Sequence, residues 1–348
     1  MSDQESGKPA KVSLGPRAVP TTGKEIMRMN RTSTLLWAGL VLGLAAGTLA
    51  AQGSKPFRIG TGAETGTYAP IGAILARSLS DASGPALTAV PSQGSVANVQ
   101  AIAAGQIESG LSQSDIVYWA FTATGAFEGK PPLDELRAIA NLYQESIHLV
   151  VRKAAGIQSV SDLRGKRVSL DEQGSGTLPE ALLLLDAWGL KETDLNAEHL
   201  NLDAAAREMK QGTLDAFFYV GGYPVPAIVE LANAGAEIDL PPLDGPKAEK
   251  LRGDYKFLAR DEIPGNTYKG IDATKTLSVG ALWVTSAKVD AAVVYEVTKA
   301  LWSDKAREAL AAGHPKGKLI RKDTALNGIG IPLHPGAERF YREAGFLQ

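Results

Sequence analysis

The residues best suited to chemistry in this chain are small and polar, and they recur where an apolar run gives way to a segment of helical period. Five junctions share this character: "GTGAETGTY" from Gly60, "PSQGSVAN" from Pro91, "LSQSDIVY" from Leu111, "DEQGSGT" from Asp171 and "YVGGYPVP" from Tyr219. Backbone N–H groups at a helix start, together with the positive end of the helix dipole, hold anions and carbonyl oxygens, and a nearby hydroxyl adds a steerable donor. Taken singly, each junction reads equally as a helix cap or a backbone turn, because Ser and Thr favour caps and Gly relieves backbone strain. As a set of five they exceed what capping requires. Tyr68, Tyr118 and Tyr223 stand near three of them and could add apolar walls and phenol donors, or pack as ordinary half-buried rings.

Other chemistries find little support. The spacing Gly60-x-Gly62-x-x-x-Gly66 misses the dinucleotide pattern by one residue, and no Lys-Ser/Thr pair follows as a phosphate loop needs. His148, His199, His314 and His334 sit in unrelated contexts with no metal spacing. "GSGT" at Gly174 is not the turn of a serine nucleophile, so Ser175 has no implied base. Asp171 and Glu172 are adjacent, and neighbours on a strand point to opposite faces, so a direct dyad is not expected; one would cap a helix or meet a ligand amine while the other is solvated. No catalytic residue, metal or cofactor is expected. The absence of cysteine removes disulfides, thiol catalysis and a lipidated cysteine anchor.

The elements that must position these junctions form an α/β pattern. "FRIGTG" reads as the first strand and "YAPIGAILARSLSDAS" as its helix; "ALTAVPS" and "ESGLSQ" read as the next strands. Each of these two is followed by a helix, one with an apolar stripe of Val96, Val99, Ile102 and Ala103, the other with Ser114 as its natural N-cap. After a Pro-rich connection, "LRAIANLYQESIHLVVRK" reads as two extended segments interrupted at Gln144 to Ser146, as though the chain left one lobe for another. A second set of β-α units follows. It contains a helix whose buried face is expected at Leu178, Ala181, Leu182, Leu185 and Trp188, a helix stopped by Gly212, and a return strand from Thr276 to Ser286. The expected fold is α/β and two-lobed, each lobe a mostly parallel sheet flanked by helices and joined by a two-crossover hinge. Its divisions fall at residues 1–53 (leader), 54–146 (first lobe), 147–275 (second lobe) and 276–348 (return to the first lobe and C-terminal helices).

The leader carries targeting information. No charge occurs between Arg31 and Lys55, and the apolar run "LLWAGLVLGLAAGTLAAQG" follows Arg28 and Arg31 and ends in small residues, which reads as a cleavable signal peptide cut after Ala50 or Gly53. An uncleaved anchor is the alternative. Residues 1–26 are longer and more polar than such a leader needs, so translation is expected to begin at Met1, Met27 or Met29. Formal net charge is −2 for the chain and −5 without residues 1–53, which gives no basic patch for nucleic acid. A 44% hydrophobic, 21% charged composition fits a globular body with real cores, exported to the periplasm.

Five blocks in order give the chain a family resemblance: "IGTGAETGTYAPIG", "QGSVANVQAIAAGQIESGLSQSDIVYWAFTATG", "LRAIANLYQESIHLVVRKAAGIQSVSDLRGKRVSL", "GSGT" and "IPLHPGAERFYREAG". Over residues 57–348 it resembles the TAXI family of substrate-binding proteins that serve TRAP transporters. The resemblance implies a two-lobed periplasmic binding protein, class II-like, that acts as a receptor, closes over a small organic anion or amino acid and passes it to an ion-coupled TRAP permease. The ligands implied are glutamate-like, glutamine-like, C4–C5 dicarboxylate or 2-oxo acid. It places ligand contacts at Thr61, Gly62, Tyr68, Ser95, Asn98, Gln113, Ser114, Ser175, Gly176, Thr177, Gly222 and Tyr223. The sequence departs from the pattern at Ala63, Glu64, Ala69 and the "DEQ" of Asp171 to Gln173. If Glu64 or Asp171 faces the cleft, the ligand should carry an ammonium group. The alternatives are a sensory or ABC-type receptor of the same fold and, further off, a cleft enzyme acting on a small acid.

Overall fold

A computed structural model describes residues 56–80 and 85–347. The leader and its signal-peptide reading lie outside the described residues. The chain begins with β1 (Phe57–Gly60), α1 (Tyr68–Leu79), β2 (Leu87–Val90), α2 (Ser95–Ala103), β3 (Ser109–Gln113) and α3 (Ser114–Thr122). A long strand, β4 (Leu136–Arg152), then crosses into a second α/β layer. That layer contains β5 (Arg167–Ser169), α4 (Thr177–Trp188), β6 (Asn196–Glu198), α5 (Leu202–Gln211) and β7 (Ala216–Gly221), then α6 (Pro226–Asn233), β8 (Ile238–Asp239), α7 (Gly245–Asp254) and β9 (Ala259–Ile263). The chain returns along β10 (Thr274–Ser286) and ends in α8 (Ala291–Leu301), α9 (Asp304–Gly313) and α10 (Pro335–Glu343).

Strand order is β2-β1-β3-β10-β4-β7-β5-β6, with β8 on β4 and β9 on β10. The sheet is mixed. β1 lies parallel to β2 and β3, and β5 parallel to β6 and β7, whereas β4 and β10 run antiparallel to their neighbours. Each lobe is therefore a parallel trio completed by one half of each crossing strand. The expected divisions at 146/147 and 275/276 fall inside β4 and β10, because the hinge is a pair of hydrogen-bonded strands and not two loops.

Alternating side chains give each lobe an apolar layer on both sheet faces. In the first lobe Phe57, Ile59, Ile71, Leu75 and Trp283 pack on one face and Val99, Ile102, Ile116 and Leu282 on the other. In the second, Leu149, Val168, Leu184 and Phe218 oppose Val150, Phe217, Ile228 and Leu231. The C-terminal helices complete the first lobe, where Val294, Leu310 and Tyr341 join the Phe57 cluster.

Three sequence expectations change here. The break at Gln144 to Ser146 does not occur: these residues pair with Gly280, Val279 and Ser278, so backbone bonding carries β4 through its polar middle. Glu145 and Ser146 are buried there because each meets a side-chain partner, Tyr68 for the first and Asp261, at 2.6 Å, for the second. Ser114 does not cap α3; Gln113 holds the cap position without a side-chain bond, and the Ser114 hydroxyl accepts instead from the Gly280 N–H at 3.0 Å. On α4, Leu182 is exposed and Glu180 is fully buried, so the inward face is turned toward a carboxyl that the apolar spacing did not include.

Candidate functional site

β1, β3 and β5 all end at the same seam, so the carboxyl ends of both parallel trios face each other, which is where open parallel sheets hold ligands. The seam encloses a cavity of ≈ 30 Å³ between the first and second lobes. From the first lobe it is lined by Gly62, Ala63, Tyr68, Gln93, Gly94, Ser95 and Gln113; from the second by Asp171, Glu172, Ser175, Gly176, Thr177, Leu202, Tyr219 and Val220.

Five helices begin at or beside this seam: the cap positions of α1, α2, α3 and α4 are Thr67, Gly94, Gln113 and Gly176, none of which makes a cap bond with its own side chain, whereas Asn201 caps α5 by accepting from the Ala204 N–H at 3.0 Å. Their hydroxyls and amides serve other partners. Thr67 Oγ1 donates to the Gly222 carbonyl at 2.7 Å, Ser95 Oγ accepts from the Gln113 N–H at 3.1 Å, and Ser175 Oγ accepts from the Leu178 N–H at 3.1 Å. Converging helix starts make the walls electropositive at the backbone level. The cavity-lining side chains include no Lys, Arg or His, and the charged ones are Asp171 and Glu172.

The lobes are in contact. The Ala97 N–H donates to the Gly174 carbonyl at 2.9 Å, the Ala227 N–H to Thr65 O at 3.2 Å, and Gln113 Nε2 to Gly176 O at 3.3 Å; Thr65 also bonds Asp203. Two glycines permit this approach. A Cβ on Gly176 would sit 2.0 Å from Gln113 Oε1, and one on Gly66 2.4 Å from the Tyr219 hydroxyl. An aromatic clasp closes the outer side, with Trp119 of α3 edge-on to Phe257 at 5.3 Å and Tyr118 against the same ring.

Burial dominates the electrostatics. Asp171 is pushed up to about 7 by burial, against hydrogen bonds from the Glu172 N–H, Thr177 and Ser175 that favour its charge. Glu145, on the floor of the hinge, is pushed up to about 8 by burial, although Tyr68 donates a hydrogen bond to it. Burial also lowers Lys316 to about 8; its ammonium lies 3.5 Å from the centre of the Tyr223 ring and feels Asp261 and Glu145. Among the described residues, no group of three or more metal-ligating His, Asp or Glu side chains is assembled.

Of the residues singled out in the sequence, Gly62, Tyr68, Ser95, Gln113, Ser175, Gly176 and Thr177 are brought together on the cavity. Others lie elsewhere. Thr61 Oγ1 is bonded to Val90 O, and Asn98 ties Thr61 and Leu111 through their carbonyls, so both hold the first lobe together. Ser114 secures β10, while Gly222 packs closely on Lys316 and Tyr143, and Tyr223 lies under the Lys316 ammonium. Glu64 is exposed and outside the lining. Tyr118 is 41% exposed on the outer rim. Asp171 and Glu172 both reach the cavity, contrary to the alternation expected of strand neighbours. β5 has ended at Ser169, and Asp171 adopts a left-handed backbone with φ 75°, so the alternation no longer applies. Tyr219 and Gln93 line the cavity without having been singled out in the sequence, although a tyrosine near the carboxyl end of the apolar run "AFFYV" is a usable signal.

With the geometry in view, comparison with known proteins gives a family. Residues 59–345 match the NMT1-like family. The chain belongs to the NMT1-like family. Similar solved structures include the alkanesulfonate-binding protein SsuA from Xanthomonas axonopodis pv. citri bound to MOPS, at 17% identity, covering 82% of this chain and 83% of that one, with a TM-score of 0.47. PhnD1 from Prochlorococcus marinus (MIT 9301), in complex with methylphosphonate, is 11% identical over 84% of this chain and 99% of its own, with a TM-score of 0.49. An ABC uptake transporter substrate-binding protein from Streptococcus pneumoniae with bound histidine is 15% identical over 78% and 95%, with a TM-score of 0.46. The topology is the two-lobed α/β arrangement of type II periplasmic binding proteins, as expected from the sequence.

Proposed function

We propose that this NMT1-like protein is an extracytoplasmic solute receptor that closes its lobes over a compact polar solute without turning it over. The observation that carries the reading is the interlobe cavity at the carboxyl ends of both parallel trios, where helices α1, α2 and α4 begin. A solute carboxylate or carbonyl would meet the helix starts, with the Ser95, Ser175 and Thr177 hydroxyls close by. Asp171 and Glu172, in a lining without Lys, Arg or His, favour an amino-acid-like solute whose ammonium group faces Asp171 over a bare C4–C5 dicarboxylate or 2-oxo acid. Glu64, outside the lining, drops from that role.

The membrane partner has two candidates. The NMT1-like match accords better with an ABC-type permease than with the ion-coupled TRAP permease implied by the TAXI resemblance. Both place the receptor outside the cytoplasmic membrane, and among the described residues no helix is long and apolar enough to cross one. A thermal-shift screen of amino acids, C4–C5 dicarboxylates and 2-oxo acids tests the receptor reading; a true ligand at 100 Kd stabilises by about 2.7 kcal/mol. Amino acids are expected to raise Tm most, and a screen in which nothing moves overturns the reading. Co-purification with a tagged ATP-driven or ion-coupled permease separates the two routes.

A further inference from the structure

Two carboxyls meet where the lobes touch. Asp115 stands in the first turn of α3 in the first lobe and Glu180 in the first turn of α4 in the second, and both are 0% exposed. They face each other closely enough to bond, yet Asp115 Oδ2 and both Glu180 oxygens lack any donor. Among the described residues the only side-chain donor to the pair is Gln113 Nε2, 3.4 Å from Asp115 Oδ1 and shared with the Gly176 carbonyl, and no Lys or Arg is bonded to either acid. Around them, β4 contributes Glu145, whose charge also acts against Asp115; α1 contributes Tyr68, bonded to Glu145; and Lys316 lies beyond Glu145. Leu183, Tyr255 and Phe257 pack against the cores of both lobes, so the seam holding the pair is apolar as well as buried.

Two ionised carboxylates cannot share such a site, whereas one proton between them joins Asp115 Oδ2 to one Glu180 oxygen in a single hydrogen bond and removes one of the two charges. We propose that lobe closure takes up a proton from solvent, which is held between Asp115 and Glu180, so that closure and solute retention strengthen as pH falls. Burial raises both carboxyls above their ordinary range in the closed form. In an open form each becomes a solvated carboxylate that ionises near pH 4. Closure at neutral pH therefore binds one more proton than the open state, and its equilibrium constant falls up to about tenfold per pH unit. The proposal deepens the receptor reading by adding its regulation, and it rests on that reading only for the words about solute.

The test needs no solute, so its failure is distinct from that of the thermal-shift screen. The chain has no native cysteine, and Gln100→Cys in α2 with Lys210→Cys in α5 places spin labels at exposed positions on the two lobes. Electron–electron distance measurements between pH 5 and 9 are expected to show the closed fraction falling as pH rises. In E180Q, whose amide can donate to Asp115 without a proton, the slope should drop by one proton and closure at pH 9 should rise. E145Q and Asp171→Asn, which leave the pair intact, should keep that component. A distance distribution that does not move with pH, or E180Q with the slope unchanged, overturns the proposal.

Discussion

The two ends of the parallel strands treat their acids in opposite ways. At the amino ends, Asp215 just before β7 accepts from Arg152 at 2.6 Å and from Arg167 at 2.8 Å, and Glu108 just before β3 accepts from Arg58 at 2.7 Å. Asp215 is held well below the ordinary carboxylate range, chiefly by the Arg167 hydrogen bond. At the carboxyl ends, Asp115 and Asp171 are buried with no ion-pair partner, and Glu145 and Glu180 join them at the seam. Helix starts divide in a similar way: α8, α9 and α10, away from the cavity, are capped by Asp290, Ser303 and His334, whereas the N-cap residues of α1, α2 and α3 make no such side-chain bond. One end of each lobe is built to stay shut, and the other is left with unspent polarity for a ligand and for closure.

Five measurements can break or sharpen that contrast. The largest effect is expected at Glu145. Its folded pKa, raised to about 8, exceeds an unfolded value near 4, so the native state loses stability as pH rises between the two, and the penalty is complete above pH 8. Glu145→Gln has no proton to lose and should match the wild type at pH 4 but exceed it at pH 9 by on the order of 3–5 kcal/mol. Urea unfolding at both pH values checks this, and equal stability at pH 9 would remove the acid from the contrast.

Asp215 should show the reverse sign. Its lowered pKa supplies stability above about pH 4 that is lost as pH falls further. Asp215→Ala is expected to cost about 2–3 kcal/mol at pH 7, with the cost shrinking steadily as pH falls below 4. A cost that persists unchanged into acid would mean that packing, not charge, holds this end. Third, Asp290→Ala, which strips the α8 cap donors at Ala292 and Val293, should cost about 1 kcal/mol. Ser95→Ala should instead weaken solute stabilisation more than it lowers Tm. Lastly, Lys250→Ala breaks an exposed pair with Asp254 and should leave Tm unchanged, since solvent screens such pairs.

Much of the fold was legible because strand and helix periods are local. "FRIGTG", "LDAFFYV" and the run from Thr276 announced β1, β7 and β10, and Gly212, in a left-handed conformation at φ 77°, ended α5 as expected. Half of the site was legible too: Gly62, Tyr68, Ser95, Gln113 and the Ser175 to Thr177 loop reach the cavity because helix starts at strand ends are written in short polar words. The polar triplet Gln144 to Ser146 misled because composition alone suggests an interruption, whereas β10 and Tyr68 supplied partners from 77 residues away or more.

The sequence by itself therefore determined the alternation of β and α units, the small-residue junctions and the lack of metal, thiol or nucleophile motifs. Only the tertiary structure decided which junction residues turn inward, that Asp171 and Glu172 leave strand geometry together, and that Glu180 meets Asp115 across the seam. The physical reason is range. Periodicity and capping act over three or four residues, while burial of a carboxyl and the identity of its partner depend on chain segments brought together by the sheet.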